Sequence, residues 1–120
     1  VAGRQRTQSQ LEAAAAAVRQ VRELAWAGQH TEAIRIAAAA IGKDGLRVGD
    51  RVDLLDLRCE SHLAQGDIGA ARVDATALLA IAVRAGEPAL LAQAGNRAAM
   101  VQIRGGEAKA AIASTMRVRP

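Results

Sequence analysis

The stretch LAQGDIGAA, Leu63 to Ala71, decides how the rest of the chain is read. An apolar run ends at Gly66, Asp67 follows, and a second apolar periodicity starts with Ile68 and Ala71. Glycine closes a helix by adopting a left-handed conformation, and an aspartate offers acceptors to the free amides of the next helix. The stretch therefore predicts a tight antiparallel turn between two helices. The same arrangement recurs around Gly28 in LAWAGQHTEA, Leu24 to Ala33, and around Gly105 in QIRGGEAKAA, Gln102 to Ala111. Each glycine is followed five residues on by an alanine (Ala33, Ala71, Ala110), and the glycines stand 38 and 39 residues apart. A turn repeated at that period predicts an array of helical hairpins.

Composition agrees with this. The 120 residues amount to one domain, and a quarter of them are Ala, the strongest helix former. There is one Trp and no Phe or Tyr, so the core has to be made by close helix contact over Ala, Leu, Ile and Val. No stretch alternates with period two, which argues against a sheet. The net charge is +4, with Arg dispersed among Asp and Glu and no block of one sign. Dispersed charge reads as solvated surface. The absence of Tyr and Phe for base stacking, and of an Arg stripe along any helix, disfavours nucleic acid as the partner. The single Cys59 excludes an internal disulfide and fits a reducing, cytoplasmic setting. The Ala13 to Ala17 run is too short and too closely flanked by Glu12 and Arg19 to target or span a membrane.

In chain order, residues 1–7 read as a disordered lead-in, residues 8–118 as a single domain and residues 119–120 as a tail. The expected hairpins cover about 8–42, 50–85 and 88–118. Thr7 or Ser9 is expected to cap the first helix and Asp50 the third, after the glycine-rich linker GKDGLRVGD. Gly86 and Pro88 predict a stop and an immediate restart between the fourth and fifth helices. A sixth helix is expected from Glu107 to about Val118.

Aligned on their turn glycines, the three units resemble tetratricopeptide repeats (TPRs). Leu24, His62 and Val101 stand four residues before the glycine; Val21, Cys59 and Ala98 stand seven before; Ala33, Ala71 and Ala110 fill the small slot where paired helices touch. The usual aromatic slots are empty, the closing Pro is absent and the period is longer than the family's. Longer-period repeats of this kind resemble the TPR regions of large bacterial multidomain regulators, such as transcription activators and adenylate/guanylate cyclases. The resemblance implies an all-α, right-handed superhelical array of three antiparallel hairpins, a TPR-like α-solenoid. It implies a scaffold or regulatory module that binds a protein or peptide partner, or another domain of the same chain, in a concave groove. Self-association, as a weak homodimer, is the alternative, and a basic nucleic-acid-binding adaptor a more distant one.

In that family the first helix of each hairpin lines the groove. Mapped onto this chain, the groove would hold a basic-aromatic band of Val18, Arg19, Arg22 and Trp26. An acidic band of Asp53, Asp56, Leu57 and Glu60 follows, then a small neutral band of Gly95, Asn96, Ala99, Gln102 and Ile103. Trp26 reads equally as a binding anchor or as packing on the first helix pair, and the charges read more simply as solvated. The acidic band would repel a carboxylate terminus, so a basic segment of the partner fits better.

Cys59 and His62 lie one helical turn apart, in slots that the repeat fills with core residues. They are expected to be structural, with no metal or cofactor. The sequence has no phosphate-binding loop, acid pair or triad on which to argue catalysis. The open end of the array, with Ile112 and Met116 at helical spacing, predicts a weak monomer–dimer equilibrium or a following repeat.

Overall fold

A computed structural model describes the backbone of residues 2–118 and the side chains of residues 8–107 and 109. Its helices are α1 (Ala2–Trp26), α2 (His30–Ile41), α3 (Val48–Ala64), α4 (Ile68–Ala85) and α5 (Pro88–Val118), with no strand among the described residues.

The turn between α3 and α4 forms for the reasons visible in its sequence. Gly66 has φ 78°, and an Asp67 Oδ1 accepts a hydrogen bond of 3.1 Å from the Ala70 amide. Gly28 repeats the left-handed φ at 79° between α1 and α2. Gly86, φ 70°, closes α4 with its amide on the Ala82 carbonyl, and α5 begins at Pro88. Pro is suited to a first helical position because it lacks only an amide that would be unpaired there.

Two layers result. Helices α1, α3 and α5 lie side by side, α2 packs on α1 and α3, and α4 packs on α3 and α5. The thinnest dimension, 19 Å, is about two helix diameters. Alanine makes the approach this close: Ala33, Ala37, Ala71, Ala82 and Ala94 are fully buried. The larger fully buried residues Leu54 and Leu78 supply more per side chain, about 1.5–3 kcal/mol each. Val21 and Leu54 join α1, α2 and α3; Val52, Leu55 and Leu78 join α3, α4 and α5.

The structure corrects the sequence reading in four places. First, α5 runs unbroken through Gly105 and Gly106, so the third hairpin and its sixth helix do not form. Both glycines keep negative φ, whereas Gly28 and Gly66 do not. The physical reason is local: no Asp, Asn, Ser or Thr directly follows Gly105 and Gly106 to cap a restarting helix as Asp67 caps α4. Second, α1 starts at Ala2, ahead of the expected cap at Thr7 or Ser9, so the backbone of residues 2–7 is helical and not a disordered lead-in. Third, Arg47 and not Asp50 precedes α3, without a side-chain cap. Asp50 lies in the first turn, where its charge still faces the positive end of the helix dipole. Fourth, Val18 belongs to the core and not to a groove. The side chains of Ile112 and Met116, and the tail at residues 119–120, fall outside the described residues. No helix among the described residues is long and apolar enough to cross a membrane.

Candidate partner-binding groove

A groove of about 320 Å³ opens on the α1–α3–α5 layer. Helix α1 contributes Arg22, Ala25 and Trp26; α3 contributes Asp53, Asp56, Leu57 and Glu60; α5 contributes Gln93. Helical geometry selects these residues. On α1, Val18 and Val21 are buried in the core, and Arg22 and Trp26 step off in fours from Val18 onto the exposed flank of that stripe. On α3, positions 53, 56 and 60 recur at helical spacing and place three carboxylates on one stripe.

Trp26 is 92% exposed at the last residue of α1. It does not pack on the first helix pair, which removes that reading of the residue. An indole left this open beside a groove is the largest apolar surface the chain offers there.

The acidic stripe is partly neutralised from within. Arg97 on α5 meets Asp56 at 2.6 Å through Nε, and its Nη2 donates to Glu60 at 3.3 Å. The Gln93 amide nitrogen donates to both Asp53 and Asp56 at 3.1 Å. Burial opposes the Arg97 charge, but the hydrogen bond to Asp56 and the charges of Asp56 and Glu60 outweigh it and raise its pKa further. Asp56 is thus satisfied twice, while Asp53 holds only an amide and Glu60 remains half exposed.

Of the residues expected from sequence, the groove assembles Arg22, Trp26, Asp53, Asp56, Leu57 and Glu60. Leu57 forms its floor and belongs to the core cluster as well. Arg19 and Asn96 are exposed but do not line it, and Gln102 lines the depression between α4 and α5 instead. The expected third band was misplaced by rotation about the α5 axis. Ala94 and Val101 turn inward, which brings Gln93 and Arg97 to α3 instead. These two residues were missed, although their i, i+4 spacing complements the acidic stripe on α3 and could have been matched to it.

Cys59 and His62 lie in the other layer contact. Cys59 is fully buried, and its thiol donates to the Ala71 carbonyl at 3.3 Å, joining α3 to α4 at their closest approach. Burial pushes the thiol up to about 11, with Arg97 opposing and the carboxylates of Asp74, Asp56 and Glu60 assisting. Buried Asp74 on α4 is held bidentate by Arg58 on α3 at 2.7 and 2.9 Å, with His62 Nε2 at 3.7 Å. Among the described residues, no group of three acidic, His or Cys side chains could hold a metal ion. His30, the first residue of α2, links the hairpins through the fully buried Ser61 hydroxyl at 3.0 Å.

No protein-family model matches the chain, and no curated protein or solved structure does either.

Proposed function

We propose that this chain is a TPR-type interaction module, a right-handed α-solenoid segment within a larger bacterial regulatory protein. Its groove holds a peptide segment or a neighbouring domain that presents basic and apolar side chains. The observation that carries the reading is Trp26, 92% exposed at the rim of a groove whose wall bears Asp53, Asp56 and Glu60. An indole face attracts both apolar groups and cations, and the incompletely paired carboxylates of Asp53 and Glu60 favour the latter. Recognition is passive. The groove side chains stand on helices packed into two layers, so little ordering entropy opposes binding.

Matched short peptides, one of Arg and Leu and one of Glu and Leu, test the reading by fluorescence anisotropy. The basic peptide binds, and Asp53→Lys weakens it with reduced salt dependence while the helical signal is unchanged. Equal affinity for both peptides, or indifference to Asp53→Lys and Trp26→Ala together, would move the site elsewhere.

A further inference from the structure

The second surface lies on α5, and it carries an inference independent of the groove. Helix α5 has 31 residues, against 17 in α3 and 18 in α4. Gly105 is level with the first turn of α4: a Cβ there would lie 3.5 Å from Ile68 Cγ2 and 3.1 Å from Arg72 Nη2. Residues 106–118 therefore rise about 20 Å beyond the start of α4. Alongside, between α4 and α5, runs an open depression of about 490 Å³ whose lining includes Ala75, Leu79, Ala98, Gln102 and Gly106. Leu79, at 37%, and nearby Leu91 on α5, at 36%, are exposed for residues of their size.

The projecting segment carries the register of a helix that would fill such a depression. Ala110 and Ser114 follow Gly105 at the offsets by which buried Ala33 and Ala37 follow Gly28, and buried Ala71 and Ala75 follow Gly66. In α2 and α4 that register packs antiparallel on the preceding helix. In α5 the unbroken helix carries the segment away from its own depression, and a second copy presents a segment of the matching register. We propose that two copies of this chain pair antiparallel through α5, about a two-fold axis at Gly105–Gly106, each placing residues 107–118 along the other's residues 93–104.

Three features fit this pairing. A Cβ at Gly106 would have nothing within 4 Å, so the backbone is open to close approach at the axis. Glu107 of one copy comes level with Arg104 of the other, giving two reciprocal ion pairs. The two Arg117 residues, which a tip-to-tip contact would bring together, fall about 35 Å apart, well beyond the screening length. Arg117 stands at the offset where Ala40 and Leu78 are buried, which confines the mimicry to the first two turns and keeps the dimer weak.

Sedimentation equilibrium on the full chain tests the proposal. The wild type should show a monomer–dimer equilibrium. Gly106→Leu, which enters open space in the protomer, should not lower the melting temperature and should raise the dimer dissociation constant at least ~10-fold. Ala98→Glu and Ala110→Lys should each do the same, and an equimolar mixture should recover the dimer, because one contact is then unaltered and the other pairs opposite charges. A monomer at every concentration would overturn the proposal. So would a dimer that Ala98→Glu weakens but Ala110→Lys and Gly106→Leu leave unchanged.

Discussion

Arg97 Nε on α5 lies 2.6 Å from Asp56 Oδ1 on α3, with the two side chains only 12% and 18% exposed. This contact, shared with Glu60 and braced by Gln93, is the polar bond between the second and third members of the helix layer. It depends on the rotation of α5, since Arg97 can reach Asp56 only with Ala94 and Val101 turned inward.

Arg97→Ala should therefore cost stability, about 2–3 kcal/mol, because Asp56 would keep only its amide partner in a largely buried position. Asp56→Asn should cost less, since the amide oxygen still accepts from Arg97. Urea unfolding monitored by circular dichroism measures both. Equal losses for the two variants would show that the charge on Asp56 matters more than its geometry.

The unbroken α5 makes a prediction of sign. Gly106 is helical with open space around it, so Gly106→Ala should raise stability by about 0.5–1 kcal/mol. Gly28 has φ 79°, so Gly28→Ala should lower it by about 1 kcal/mol. Were residue 106 to occupy a turn with positive φ, both substitutions would move the melting temperature downward.

Where the sequence was legible, a local residue type and a packing demand agreed. Gly66 and Asp67 close and cap their helices by their own chemistry, as do Gly86 and Pro88, and each new helix then finds two others to rest on. Gly105 carries the same glycine-plus-five-alanine spacing, yet the helix continues. Gly105 and Gly106 also lack a capping residue after them, which Asp67 supplies after Gly66. The acidic stripe and Trp26 were legible because they lie on single helices at fixed spacing. Gln93 and Arg97 were not, because their role depends on how far α5 is rotated against α3, a quantity set by Ala94 and Val101 in the core. Asp50 has the chemistry of a cap, but α3 begins at Val48 without a side-chain cap and Asp50 lies within its first turn.

Cys59 should link stability to alkaline pH. Its thiol has a folded pKa of about 11 against 9.0 when unperturbed. The neutral form is favoured in the folded protein, so the contribution is complete below pH 9 and is lost as pH rises through 11. The loss amounts to about 2–3 kcal/mol. Cys59→Ala should flatten this part of the stability profile relative to wild type, and the wild-type thiol should react with a disulfide reagent at neutral pH only on unfolding. Rapid native-state labelling would contradict the buried, hydrogen-bonded thiol.

If the groove beside Trp26 receives a partner's basic and apolar side chains, as proposed, the chain carries its own reporter for the event. Trp26 is the only Trp, and no Tyr or Phe contributes to the emission. Titration with the Arg/Leu peptide should shift the fluorescence saturably to shorter wavelength as the 92% exposed indole is covered, and Asp53→Lys should suppress the shift. An emission maximum that stays at the value for water-exposed tryptophan while the peptide binds would contradict the account.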